Sequence, residues 1–287
     1  MRLTGIMLAA CVAMCAAAAP GLEKVVFVGA HPDDFAAEIG LALLMRGKFE
    51  VHVVDFTHGE RGCGPEKFKS GWTKAKRTKE EESVCAAVGA KLHWLDEVDG
   101  EAYACRETCA KFAEILKELQ PRAVITHWPM DQHLDHLMAY AATMKAIHLA
   151  RISPEVYYHE QDHQSKGFQP AYWVDITSVE AEKERIIGFY ECQNGASHIA
   201  LNKRLNGDFR GRNMLKPVKF AEAYAVYPGA PQGRSASSTN CRAPENEAGA
   251  REGDAASFAR CPEGLRHAVH HGPHAGRGGA VPCAGLR

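Results

Sequence analysis

The chain has 287 residues, 34 Lys and Arg against 35 Asp and Glu, and a formal net charge of −1 at pH 7. That length holds one large domain or two small ones with ample core. The balanced charge, without a dense basic stripe outside one Lys/Arg-rich helix, argues against nucleic-acid binding and suits a neutral, carbohydrate-like small molecule better.

The first segment, Met1 to Pro20, carries Arg2, an apolar stretch and then Ala16-Ala17-Ala18-Ala19. This is the layout of a secretory signal peptide, so residues 1–20 are expected to be removed and the protein exported to a periplasmic or extracellular space. Leu8-Ala9-Ala10-Cys11 also resembles a lipobox, with lipid anchoring at Cys11 as the lesser alternative. The segment is too short for a membrane span. The mature domain is expected over residues 21–228.

Lys24-Val25-Val26-Phe27-Val28-Gly29 is a short run of β-branched and aromatic residues that stops at small ones, which predicts a buried strand. Similar runs recur at Val51 to Phe56, Lys91 to Leu95 and Ala123 to Thr126, with amphipathic stretches between them. Four strands and three helices alternate. That alternation predicts an α/β fold with a mostly parallel sheet and helices on both faces. In the doubly wound order 3-2-1-4 the first and fourth strands are neighbours, and the crevice at their carboxyl ends is the usual ligand site.

Polar residues begin where those two strands end. His31-Pro32-Asp33-Asp34 follows the first, and Asp131-Gln132-His133-Leu134-Asp135-His136 follows the fourth. Neutral imidazole and ionised carboxylate are both good ligands for a divalent metal, so each motif reads as half of a metal site. Each also has a plainer reading. His-Pro-Asp-Asp serves as a helix cap, and a three-residue His spacing puts two rings on one face of any helix.

The paired motifs resemble the N-acetylglucosaminyl-phosphatidylinositol de-N-acetylase family, also called the LmbE-like deacetylases. Further matches are Thr57-His58-Gly59-Glu60-Arg61-Gly62, Arg77 with Glu80 on a helix ending at Gly89, Asp99-Gly100, and Ala221-Glu222-Ala223-Tyr224, so the resemblance covers roughly residues 24 to 228. It implies a Rossmann-like α/β fold and zinc-dependent hydrolysis of an N-acyl amino sugar. Carried over residue by residue, it implies His31, Asp34 and His136 as zinc ligands, Asp33 as general base and His133 beside the reacting carbonyl. Iron(II) or cobalt suits the same ligands. Asp135 then has no coordination role and reads as the carboxylate that fixes an imidazole tautomer. Arg77 and Asp99 match positions that line the sugar pocket in the family. Arg77 reads equally as part of the solvated face of the helix Thr73 to Glu82, and the loop Thr57 to Gly64 as either a cover for the pocket or a connector.

The chain departs from the family where Phe35-Ala36-Ala37 separates the aspartates from Glu38, and where Tyr190 and Cys192 replace the His and Ser of some relatives, although Gln193 matches. Within the domain the cysteines are Cys63, Cys85, Cys105, Cys109 and Cys192, an odd number with no CxxC pair. They read as structural or incidental, with a disulfide at the Cys63 loop as a minor possibility. From residue 229 the composition turns to Pro, Gly, Ala, Ser, Arg and His, which cannot bury enough apolar surface to order itself, and a disordered tail is expected to residue 287.

The leading functional expectation is removal of an N-acetyl group from an N-acetylglucosamine-type sugar by a zinc-dependent hydrolase. The alternatives are an amidase acting on a larger sugar-amide conjugate and a non-catalytic, metal-stabilised carbohydrate-binding module. The sequence leaves the oligomeric state open.

Overall fold

The computed structural model describes residues 21–161, 164–213, 217–226 and 269–271. The expected signal segment and nearly all of the expected tail lie outside the described residues.

Five strands, β1 (Lys24–Gly29), β2 (Glu50–Thr57), β3 (Lys91–Glu97), β4 (Ala123–His127) and β5 (Glu155–His159), form one sheet in the order β3-β2-β1-β4-β5. Every neighbouring pair is parallel. This is the predicted doubly wound order with a fifth strand added beside β4. The helices of the crossovers are α1 (Ile39–Met45), α2 (Pro65–Lys69), α3 (Trp72–Val88), α4 (Arg106–Leu119) and α5 (Leu134–Ala150).

Alternation along β1 shows why a continuous apolar run is needed here. Val25 and Phe27 face a core shared with α1 and α3, whereas Val26 and Val28 face a second core built on α4 and α5. All four are at most 3% exposed. Each such side chain contributes about 1.5–3 kcal/mol on burial, so both faces of the strand select apolar residues. α3 ends at Gly89, whose φ of 84° closes a left-handed cap with its amide bonded to the Cys85 carbonyl at 2.9 Å.

The C-terminal part adds β6 (Tyr172–Asp175), α6 (Glu180–Ile187), α7 (Gly195–Lys203), β7 (Ala221–Tyr224) and β8 (Val269–His271). β6 pairs antiparallel with both β7 and β8 in a small second sheet, so three residues of the stretch read as a disordered tail are placed in a ladder. An open backbone edge on β6 offers hydrogen bonds that composition alone does not reveal. The main sheet and this one are joined by backbone bonds between Tyr158 and Ala225, both at 2.9 Å.

Glu222 on β7 links this C-terminal part to the first helix. Its Oε1 accepts from the Gly40 amide and its Oε2 from the Leu41 amide, each at 2.8 Å, capping the start of α1. Lys183 donates to the same carboxylate at 2.7 Å, and both side chains are almost wholly buried. A Cβ on Gly40 would lie 2.5 Å from Glu222 Oε1, so glycine is required for the approach. The first turn of α1 is thus fixed by a residue that follows it by some 180 positions.

Candidate active site

The carboxyl ends of β1 and β4 bring the two motifs face to face. Asp34 forms the hub. Its Oδ2 accepts from the Ala30 amide at 2.8 Å and the His31 amide at 2.9 Å, which folds the chain into a tight turn directly after β1. Its Oδ1 lies 3.4 Å from His136 Nε2, and its Oδ2 lies 3.6 Å from His31 Nδ1. The rings of His31 and His136 are 5.4 Å apart. His133 stands beside both, at 4.6 Å from His31 and 4.7 Å from His136.

The outer nitrogens of His31 and His136 are held by carboxylates. His31 Nε2 meets Asp135 at 3.1 Å and Asp99 at 3.3 Å. His136 Nδ1 meets Asp131 at 3.0 Å, and Asp131 also accepts from the His133 amide and the Ser165 hydroxyl. Such contacts place the ring proton on the outer nitrogen and turn the other lone pair inward. His31 Nδ1, His136 Nε2 and Asp34 Oδ1 are therefore the free donors of the cluster. Ligands on a tetrahedral zinc with bonds of about 2.0–2.2 Å stand about 3.3–3.5 Å apart, and the 3.4 Å between His136 Nε2 and Asp34 Oδ1 matches that spacing, whereas His31 Nδ1 approaches the other Asp34 oxygen. Imidazole and carboxylate are the donor types that suit a divalent metal.

Electrostatics point the same way. Burial disfavours the His136 imidazolium, yet Asp34 and Asp131 raise its pKa to about 9, and His31 is likewise raised by Asp135, Asp34 and Asp99. A field that holds protons so firmly is one a cation can take over. His133 differs, because burial and the charges of His31 and His136 lower its pKa. Its Nδ1 accepts from the Asp135 amide at 3.3 Å, which leaves Nε2 as the donor of a neutral ring.

Asp33 stands apart from the hub. It adopts φ 103°, a left-handed conformation rare for a residue with a side chain, and turns its carboxylate away from Asp34. One oxygen pairs with the Arg77 guanidinium and the other lies 3.4 Å from His198 Nε2 on α7. Burial raises its pKa despite Arg77. Arg77 is 4% exposed and also donates to the carbonyls of Pro32 and Gly59, so it braces the Asp33 turn rather than lying on a solvated helix face. Asp99 accepts from the Arg61 amide at 2.9 Å, and its own amide donates to Glu60, which anchors the loop after β2.

All eight residues singled out from the sequence therefore surround one cleft: His31, Asp33, Asp34, Arg77, Asp99, His133, Asp135 and His136. Sequence reasoning missed the layer behind Asp34. His127, at the end of β4, approaches Asp34 Oδ2 at 3.3 Å, and its Nε2 accepts from the Ala30 amide at 3.1 Å. Burial and His136 lower its pKa to about 3. His159, ending β5, bonds Glu38 at 2.6 Å, and Gln161 donates to the Asp34 carbonyl at 2.9 Å. A polar residue closing an apolar run, as in Val156-Tyr157-Tyr158-His159, was the available signal. Asp34, His127 and His136 are close enough to hold an ion, as are His31, His133 and His136, and His31, Asp99 and Asp135. The amide on His127 Nε2 occupies the lone pair it would need for that role.

Among the described residues no helix is long and apolar enough to cross a membrane. A search against known proteins finds the 4-oxalmesaconate hydratase of Pseudomonas putida, 28% identical over 198 residues, which span 62% of this chain and 75% of the relative. The crystal structure of GalB, the 4-carboxy-2-hydroxymuconate hydratase of the same organism, superposes with a TM-score of 0.63 at 24% identity over 79% of this chain and 100% of that one. The N,N'-diacetylchitobiose deacetylase of Pyrococcus horikoshii gives 0.62 at 22% identity over 72% and 85%. At these identities the two structures speak for the fold. The family model described as PIG-L, GlcNAc-PI de-N-acetylase, matches residues 26–147, which run from within β1 through β4 and contain both motifs, and residues 26–147 of this chain are a PIG-L family domain.

Proposed function

We propose that this protein is a metal-dependent hydrolase that removes the N-acetyl group from an N-acetylglucosamine-type amino sugar. The observation that carries the reading is a division of labour between adjacent carboxylates. Asp34 is engaged with His31, His127 and His136, whereas Asp33 is turned out of that cluster towards Arg77 and His198. A binding module has no use for a second carboxylate in a left-handed turn beside the ion, because such a conformation costs on the order of 1–3 kcal/mol.

His31, Asp34 and His136 would hold the ion, with zinc, iron(II) and cobalt all suited to the donors. When bound, it supplies Lewis-acid polarisation and lowers the pKa of water. Asp33 accepts the proton of the attacking water and returns it to the departing amine, two roles that fall in sequence in amide cleavage. Its raised pKa favours the second role as well as permitting the first. Arg77 keeps that carboxylate in place. His133 donates from Nε2 to the carbonyl oxygen as negative charge develops there. Asp99, at the rim beside Gly100, is suited to accept from a sugar hydroxyl.

A hydratase reading is favoured by the Pseudomonas putida relative, since adding water to a double bond also needs activated water. The acids implied by that relative's name call for an uncommitted cation in the cleft. Arg77 and Arg61, the guanidinium groups beside the cluster, are each already paired with a carboxylate, which favours a neutral amide.

The test couples metal analysis to an amine-release screen over N-acetyl sugars and larger sugar-amide conjugates, with hydration of unsaturated dicarboxylic acids in parallel. Zinc-loaded wild type should release acetate and amine from an N-acetyl sugar. Asp33→Asn should keep its metal and lose about 10²–10⁴-fold in kcat. Stoichiometric metal without amine release from any N-acyl sugar refutes the proposal.

A further inference from the structure

Two cysteines that the proposed chemistry does not use meet at the mouth of the cleft. Cys63 lies on the loop between β2 and α2, and Cys192 on the short turn between α6 and α7. They are 129 residues apart in sequence, yet Cys63 Sγ is 3.6 Å from the Cys192 carbonyl oxygen. Gln193 bridges the same contact, its amide nitrogen reaching Cys63 Sγ at 3.8 Å and the Gly62 carbonyl at 3.5 Å. Both cysteines are free and partly exposed, whereas the free Cys85 and Cys109 are buried.

The geometry points to a redox-responsive disulfide latch between Cys63 and Cys192. The segments it would join are the two walls over the Asp33–Arg77 pair. The Cys63 loop carries Gly59, whose carbonyl receives Arg77, and Arg61, whose amide holds Asp99. The Cys192 turn is anchored by its amide to Glu80 at 3.0 Å and leads into α7, which carries His198 against Asp33. Closing the bond therefore fixes the width of the entrance without touching the residues of the His31–Asp34–His136 hub.

The oxidant is a low-molecular-weight disulfide. The Cys63 thiolate attacks it, forming a mixed disulfide and releasing one thiolate. Cys192 then attacks the Cys63 sulfur, forming the protein disulfide and releasing the second. The two protons given up by the cysteines end on the two small thiols, and two electrons pass to the reagent. Cys192 is the slower starting nucleophile, because burial and the neighbouring Cys63 thiol push its pKa up to about 11. Capping Cys63 removes the second of those causes, so the order of events is set by the pair itself.

The latch is independent of the substrate assigned above, and its test reads mass and stability. Full-length reduced protein is incubated with oxidised glutathione, alkylated, and digested without reduction. We expect the intact chain to lose the mass of two hydrogens, a Cys63–Cys192 cross-linked peptide to appear, and dithiothreitol to reverse both. Linking residues so distant in sequence should raise the Tm by about 5–15 °C, a rise absent in Cys63→Ser and Cys192→Ser. A glutathione adduct that persists on Cys63, or a cross-link from either cysteine to Cys105 or any other thiol, overturns the proposal.

Discussion

Replacing Glu222 by Gln tests whether the C-terminal part fixes the first turn of α1. The carboxylate accepts from the Gly40 and Leu41 amides at 2.8 Å, from Lys183 at 2.7 Å and from the Tyr224 hydroxyl at 2.7 Å. Glutamine supplies one oxygen and one NH2. With the oxygen towards Gly40 and Lys183, the NH2 confronts the Leu41 N–H and leaves it unpaired, at about 1–3 kcal/mol. Lys183 then keeps its charge at 0% exposure with only neutral acceptors, including the Ala37 carbonyl at 3.3 Å. Removing one partner of a buried ion pair typically costs about 3–5 kcal/mol. Lys183→Met should cost less, because the carboxylate left behind retains three hydrogen bonds at a helix N-terminus, where negative charge is favoured. In urea unfolding followed by circular dichroism, at an m value of about 2–3 kcal/mol/M, Glu222→Gln should lower the midpoint by about 1–2 M with m unchanged. The double variant should recover part of that loss. A Glu222→Gln penalty below about 1 kcal/mol, or one equal to that of Lys183→Met, refutes the reasoning.

Three further outcomes follow from the site and its surroundings. Asp131→Asn removes the carboxylate on His136 Nδ1 and should weaken metal affinity about 10–100-fold in a chelator competition. Asp131 itself is held down to about 2, so it is charged across the useful pH range. His133→Ala should lower kcat about 10²–10³-fold while metal content stays at the wild-type level, as measured by amine release and elemental analysis. Glu180, on α6, has its pKa raised to about 7 by burial, against the pull of Lys183. Its proton is held more tightly folded than unfolded, so its stabilising effect is complete below about pH 4.5 and is lost as pH rises through about 7, by no more than about 3 kcal/mol. Glu180→Gln should flatten that part of the stability profile and be the more stable protein at pH 8; an unchanged profile contradicts the assignment.

The elements legible in the sequence were those whose signal is local. β1 to β4 announce themselves by apolar runs buried on both faces, and the motifs His31 to Asp34 and Asp131 to His136 by the polar residues that end two of those runs. Their convergence followed from the doubly wound order. Arg77 was ambiguous, because helix periodicity gives a charged residue the same appearance on a wet face and in a buried turn. What decides it are Asp33, Pro32 and Gly59, partners 18 to 45 positions away. β5 is five residues long and carries Glu155 and His159 at its ends, so its apolar centre is too short to register. The Glu38–His159 and Glu222–Lys183 pairs were hidden for a related reason. Each charged group looks like surface until its distant counterpart is placed.

Because β1 is central and β4 lies beside it, the order of synthesis matters to the His–Asp cluster. Asp34 emerges from the ribosome about a hundred residues before His136, and the three intervening crossovers must be laid down before β4 can dock. A nascent chain truncated before β4 carries one imidazole of the cluster, His31, and its neighbouring carboxylates beside an unpaired strand edge. On the proposed reading ion capture would be a late event that reports completion of the sheet, and refolding in the presence of a chelator should leave the strands assembled.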